Sequence, residues 1–320
     1  MTNLPEKLQL LFTRRSVRAL SAVLCGLAVL AAAFFSRRPV VLVTDSAFTA
    51  LYGKNRAGVK RLVLSARLFR RLKTAVVAES AGPDLVSLAA RTASKRPYAV
   101  FFPYRYRDGA RRYLRDYPGA PAAVLAGRET GPETGRGQEA VSSGPPDAPA
   151  WYSTDVLTDL YRGGFCAGLL APPPGEISVF QANPLDAEQR SALLRGLEES
   201  AGPETASRVR FTGGDFSKEA VCAIVIGGGE AFFRETAGIP FVLYSWIDPA
   251  AAPAEAEVLF SDSPWEVLPE ALKLLETGQF EGLVPSTPLV LGSKPANISA
   301  GRIKQLFFLP EIADNEVTDN

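Results

Sequence analysis

The chain of 320 residues contains no histidine. Histidine is the usual general base near neutral pH, the central residue of Ser-His-Asp nucleophile systems and the commonest zinc ligand. Its absence excludes the most common forms of hydrolytic and zinc-dependent catalysis. No nucleophile motif replaces it, so the sequence predicts a protein that binds a ligand without transforming it. We expect no enzyme activity, no cofactor and no metal.

Cysteine and net charge are also scarce, with three cysteines and a formal net charge of +1. Cys166 falls in an apolar helical pattern and Cys222 in a buried-strand pattern, so both are expected to be small core residues and not a disulfide pair. The balanced charge argues against a nucleic-acid partner, which requires a basic excess or patch. The arginine-rich stretch 54–73 is interpreted as a solvated surface.

One long apolar run, residues 19–35, lies near the N-terminus. Three arginines precede it (Arg14, Arg15 and Arg18) and two follow it (Arg37 and Arg38). Seventeen residues at 1.5 Å each span about 25 Å, the short end of a transmembrane helix. Because more basic residues stand before the run than after it, the N-terminus is expected in the cytoplasm and the body outside it.

Two other interpretations of this run stay open. Ala31, Ala32 and Ala33 supply the small-residue pattern of a signal-peptidase site, so the segment could be a cleaved signal peptide. A lipoprotein would use Cys25 as the acylated residue, although Leu24 stands where a small residue is expected. All three interpretations place the body on the extracytoplasmic side of the cell membrane.

After the run, buried-strand patterns alternate with amphipathic helical patterns, which is typical of parallel sheets flanked by helices. Two such sets follow each other, separated by a Gly- and Pro-rich loop over 128–150, and further elements remain after the second set. The sequence therefore predicts two α/β lobes. The expected limits are an anchor over 1–38, lobe I over 39–150 with 249–281 returning, lobe II over 151–248 with 282–310 returning, and a polar tail over 311–320.

Ligands of such sheets bind outside the carboxyl ends of the strands, between the two lobes. Carboxylates at predicted strand ends can accept hydrogen bonds from sugar hydroxyls or an amine, and aromatic rings can stack on a planar ligand. The Gly-rich turn at 227–229 can offer backbone amides to a ligand oxygen. The candidate ligand-binding residues are Asp45, Ser46, Phe48, Glu79, Tyr104, Gln181, Gly228, Trp246, Asp248 and Asp262.

Several segments between residues 40 and 299 resemble, in the same order, the basic membrane protein family, the purine-nucleoside-binding lipoproteins of type I periplasmic-binding fold. They are VVLVTD, YLRDYPGAPAAVLAG, DLYRGGFCAGLLA, GEISVFQA, LLRGLEESAG and VLFSDSPWEVLPEALKLLETGQFEG. The family's first ligand segment, Asp-x-Ser-Phe-Asn, is matched here by Asp45, Ser46 and Phe48 without the asparagine. Asp248 is the best match to the family's ribose-binding aspartate.

The resemblance implies an extracytoplasmic substrate-binding protein that captures a nucleoside or sugar-like ligand for an ABC importer. The ligand would bridge both lobes, with an ABC permease as the partner at the membrane. The alternative is a membrane-anchored sensor or scaffold module of the same fold that has no transport role.

The charge asymmetry around the apolar run predicts that protease added to intact spheroplasts degrades the body from about Pro39 onward. An immunoblot of the same samples shows whether the N-terminal segment is retained or removed. Full protection in intact spheroplasts, with digestion only after lysis, would contradict export.

Overall fold

The computed structural model describes residues 14–46, 48, 54–126, 148–171, 173–181, 184–213, 217, 219–226, 238–245, 252–261 and 263–291. It begins with helix α1, Arg14–Ser36. Within α1 the segment Ala19–Ser36 is long and apolar enough to cross a membrane, and none of it is buried by the rest of the chain. The predicted tail 311–320, the turn at 227–229 and most of the loop predicted over 128–150 lie outside the described residues.

A first six-stranded sheet follows. Its strands are β1 Val40–Asp45, β2 Leu72–Val77, β3 Ala99–Pro103, β4 Ala122–Ala126, β5 Ala150–Thr154 and β11 Glu281–Val284. The strand order is β11-β5-β4-β3-β1-β2, and every neighbouring pair is parallel. All six residues of β1 are buried, because helices cover both faces of the sheet.

Four helices flank this sheet: α2 Lys54–Arg67, α3 Pro83–Ala93, α4 Arg107–Asp116 and α7 Pro264–Glu276. Alternate residues of β1 belong to different cores, as the two-residue period of a strand requires. Val40 and Leu42 pack with residues of α2 and α7 on one face. Val41 and Val43 pack with residues of α3 and α4 on the other.

The second six-stranded sheet has the order β12-β10-β9-β8-β6-β7. Its strands are β6 Glu176–Gln181, β7 Val209–Thr212, β8 Ala220–Ile226, β9 Phe241–Tyr244, β10 Ala256–Ser261 and β12 Thr287–Val290. All pairs are parallel except β12 with β10. Helices α5, Val156–Leu170, and α6, Ala187–Ala201, share the core on one face of this sheet. Cys166 and Cys222 are buried, unpaired residues of that core, as predicted.

Glycines let α5 and α6 approach each other closely. A Cβ on Gly196 of α6 would lie 1.9 Å from the carbonyl oxygen of Tyr161, and one on Gly164 of α5 would lie 2.0 Å from the carbonyl oxygen of Leu193. Both obstacles are backbone atoms, which cannot rotate away as a side chain can. The close packing of the two helices therefore requires glycine, which has no Cβ, at both positions.

The strand pairing defines where the chain crosses between the two sheets, and the second crossing lies later in the chain than predicted. The predicted crossings lay near Ala150, Asp248 and Gly282. The sheets show that β5 still pairs in the first sheet, that β10 (256–261) pairs in the second, and that β11 returns to the first before β12 joins the second. The chain thus crosses after Thr154, after Ser261 and between Val284 and Thr287.

These differences have one physical cause. A short apolar run indicates a strand, but its hydrogen-bonding partner is set by distant segments of the chain. Residues 256–261 carry nothing local that distinguishes a strand of one lobe from a strand of the other. Residues 150–154 also adjoin a Gly- and Pro-rich stretch, so the sequence analysis missed β5 as a strand.

We predict that Gly196→Ala lowers the free energy of unfolding by about 1–3 kcal/mol, because the added methyl forces the two helix backbones apart. Urea titration of the full chain in detergent measures the change. The matched control is Gly58→Ala in α2, where an added Cβ meets nothing within 4 Å. This control should be neutral or raise stability by up to about 1 kcal/mol, since alanine is the better helix former. Equal effects of the two substitutions would contradict the close-packing account.

Candidate functional site

The carboxyl ends of β1 and β3 form the best-defined part of the candidate ligand cleft. Strand β1 ends at Asp45, and β3 is followed at once by a single 3₁₀ turn, Tyr104–Tyr106. Because β1 and β3 are neighbours in the sheet, their ends lie side by side. This edge of a parallel sheet is where two-lobed α/β proteins place their ligands.

The Asp45 carboxylate is buried, with 4% of the residue exposed. Its Oδ1 accepts a hydrogen bond from the backbone N–H of Phe48 at 2.7 Å. Its Oδ2 accepts from Nη1 of Arg105 at 3.0 Å and from the hydroxyl of Tyr106 at 3.1 Å. A buried carboxylate requires such partners, and here the first lobe supplies three of them. Asp45 thus organises this edge of the sheet, and direct ligand contact by Asp45 stays a prediction.

The hydroxyl of Tyr106 is a fixed hydrogen-bond donor at this edge. Burial and the negative charge of Asp45 raise the pKa of Tyr106 to about 12. The phenol therefore keeps its proton throughout the physiological pH range. Its capacity to donate a hydrogen bond therefore persists at neutral pH.

Arg105 is the residue that the sequence analysis missed. Its guanidinium contacts Asp45 through Nη1, yet 49% of its side chain is exposed. A guanidinium carries five N–H donors in a rigid plane, so donors remain for a ligand after this contact. The available signal was a charged residue close after the end of a buried strand, whereas its neighbour Tyr104 was selected for its aromatic ring.

Phe48 lies in the core of the first lobe. It is 6% exposed and stacks on Trp265, with ring centroids 5.9 Å apart and planes inclined by 27°. Trp265 belongs to the first turn of α7, directly after the second crossing. The hydrogen bond from Phe48 N–H to Asp45 fixes the backbone at the same point. Phe48 therefore links the strand end to the segment that returns from the second lobe.

Three other candidates lie at the same end of the first sheet. Ser46 directly follows β1 and Glu79 lies in the turn after β2, and both are exposed. The half-buried ring of Tyr104 meets the ring of Trp151 edge to face, with centroids 5.8 Å apart. The guanidinium carbon of Arg107 lies 4.5 Å from the centroid of the Tyr104 ring. Ligand contact by these three residues stays a prediction.

In the second lobe, Gln181 ends β6 and is buried. Its Oε1 accepts from the backbone N–H of Leu185 at 3.0 Å, which shapes the turn that leads into α6. The remaining candidates lie outside the described residues. They are Gly228, Trp246, Asp248 and Asp262.

Sequence comparisons find no matching family model and no matching curated protein. Several solved structures have a fold similar to that of this chain. A solute-binding protein of an ABC transporter system from Conexibacter woesei is 13% identical, with 85% of this chain and 94% of that chain covered and a TM-score of 0.56. A transcriptional activator of the comK gene from Bacillus halodurans is 11% identical, with 85% and 95% covered and a TM-score of 0.53.

Identities this low establish the fold alone. The similarity extends over most of this chain, which forms two sheets flanked by helices and joined by several crossings. The predicted fold class is confirmed: the chain has the two-lobed α/β architecture of periplasmic-binding-protein-like folds.

Proposed function

We propose that the protein captures a small polar solute outside the cytoplasm and delivers it to an ABC importer. The observation that carries this proposal is the half-exposed guanidinium of Arg105, held by buried Asp45 at the strand ends of a two-lobed fold. An arginine oriented in this way donates several hydrogen bonds in one plane, which suits vicinal hydroxyls or a carboxylate. The similarity in fold to an ABC solute-binding protein supports the same assignment.

The proposed ligand is a nucleoside or a sugar-like compound. The resemblance to the basic membrane protein family favours the nucleoside, for which Trp246 would stack on the base and Asp248 would accept from the ribose. The lobes would close around the ligand by bending of the three crossing segments. Closure requires that the ligand bind the closed form more tightly than the open form. No catalytic step belongs to this function.

In this proposal α1 is the membrane anchor that keeps the body beside an ABC permease. The excess of basic residues before the span favours an extracytoplasmic body. A lipid attached to Cys25 or a cleaved signal peptide would serve the same export. The transport function requires export and proximity to the permease, whichever form of the N-terminus is present.

An anchored sensor is the second candidate function. One solved structure of similar fold is described as a transcriptional activator, so the architecture also serves regulation. A sensor would bind its ligand without a permease. Co-purification of the anchored protein with an ABC permease in the presence of ligand favours transport over sensing.

We expect Arg105→Ala to weaken ligand binding, because hydrogen bonds from a charged group contribute about 1.5–3 kcal/mol each. The dissociation constant should rise roughly ten- to a hundredfold. Isothermal titration with a panel of purine nucleosides and monosaccharides measures it. The control is Arg111→Ala, which removes an exposed arginine of α4 whose ion-pair partner within the described ranges is the exposed Asp108. The role assigned to Arg105 would be contradicted if Arg111→Ala weakened ligand binding, or if Arg105→Ala left the dissociation constant unchanged.

Asp248→Ala tests the nucleoside assignment separately. If Asp248 accepts from a ribose hydroxyl, the substitution weakens nucleoside binding roughly ten- to a hundredfold. If Asp248 has only a structural role, the melting temperature falls and the affinity is unchanged. Wild-type protein that gives no heat with millimolar nucleoside at two temperatures excludes the nucleoside and leaves the sugar-like ligand.

A further inference from the structure

Helix α2 exposes an apolar face that a water-soluble lobe does not need. Val59, Leu62 and Val63 are 63%, 71% and 55% exposed, and their spacing puts them on one side of the helix. Leu64 on the other side is buried in the core. A helix that packs on one face is normally polar on the opposite face. Contiguous exposed apolar residues on a soluble domain mark an interaction surface.

Cationic side chains lie beside this face at Leu62. Arg61, Arg71 and Lys73 line an open cavity of about 450 Å³ together with Leu62. Lys73 donates to the backbone oxygen of Ala93, and Nε of Arg71 is buried without a hydrogen-bond partner among the described residues. Among those residues none of the three forms an ion pair with a carboxylate. The surface therefore combines apolar side chains with positive charge that no carboxylate of the described residues neutralises.

The same cavity is walled by the end of the apolar helix α1. Phe34 and Phe35 line it, and the ring of Phe34 meets that of Phe69 at 5.9 Å. The guanidinium carbon of Arg37 lies 4.7 Å from the centroid of the same Phe69 ring. The α2 face thus begins where the apolar span ends. In a membrane-anchored protein that level is the headgroup region of the bilayer.

We infer that this face of α2 lies on an anionic phospholipid surface, an inference that rests on the proposed retention of α1 as an anchor. Val59, Leu62 and Val63 would enter the boundary between headgroups and acyl chains, while Arg61, Arg71 and Lys73 would bind lipid phosphates. An amphipathic helix with arginine and lysine beside its apolar face binds membranes in this way. The contact would hold the first lobe against the bilayer, whereas without it the lobe would be attached to the membrane through α1 alone.

The test uses the full chain in nanodiscs and measures contact by quenching from spin-labelled lipids. In a Cys25→Ala background, a fluorophore is attached at Ala66→Cys, an exposed position next to Leu62 on the α2 face. The matched control carries the fluorophore at Arg115→Cys, exposed near the end of α4 on the opposite face of the first sheet. Cys166 and Cys222 are buried, and burial raises the pKa of both thiols, so they should not react.

We expect strong quenching at position 66 and weak quenching at position 115 in discs that contain about 30% phosphatidylglycerol. Arg61→Glu should reduce the docked population roughly tenfold, since two unit charges change at an anionic surface. Leu62→Ser should also reduce quenching. Arg111→Glu, the same charge change on α4, should leave it unaltered.

Three results would overturn the inference. Equal quenching at both positions would show a tether without docking. If neither Arg61→Glu nor Leu62→Ser altered the quenching, the α2 face would make no contact with the lipid. If the fluorophore at position 66 were shielded from water to the same extent in zwitterionic discs as in anionic discs, a second copy or another protein would cover the face. Loss of the protein from the nanodiscs would refute the anchor as well, whereas failure of ligand binding in titration would concern only the proposed transport function.

Discussion

The buried carboxylate of Asp159 ties together the segments that connect the two lobes. Asp159 is fully buried, and its two oxygens accept from the backbone N–H and the hydroxyl of Ser286 at 2.8 and 2.5 Å. Asp159 lies in the first turn of α5, shortly after the first crossing, and Ser286 lies in the third crossing. The backbone N–H of Asp155 adds a bond to the carbonyl oxygen of Val284 at 3.0 Å. Separating the segments would remove both of these hydrogen bonds from a buried carboxylate, which costs several kcal/mol. Any movement of the lobes must therefore keep these two crossings together.

The same constraint extends into the second lobe. The hydroxyl of Tyr244 at the end of β9 donates to the carbonyl oxygen of Asp159 at 2.9 Å, and the missing side chain of Gly163 makes room for that hydroxyl. The close contact of α5 with α6 then fixes the first turn of α5 against the rest of the lobe. The hinge is thus attached to the closely packed pair α5 and α6. This packing allows each lobe to move as a rigid body.

On the other side of the hinge, Asp45 organises the strand-end edge of the first lobe, where the proposed ligand would bind. Arg105 is held by a carboxylate that also fixes Tyr106 and the backbone of Phe48. A ligand that meets a fixed guanidinium does not have to order it, so less binding free energy is lost on closure. If α2 also rests on the membrane, this lobe is the stationary one and the second lobe is the one that moves.

The sequence by itself determined the apolar span, the two sets of α/β elements and the burial of β1, Cys166 and Cys222. These properties follow from local periodicity and composition, which act over a few residues. Only the tertiary structure decided that β5 and β11 belong to the first sheet and β10 to the second, because strand partners are chosen by hydrogen bonds between distant segments. It also decided the place of Arg105, whose partner Asp45 lies 60 residues away. No local pattern encodes such a contact, since it exists only once β1 and β3 are paired.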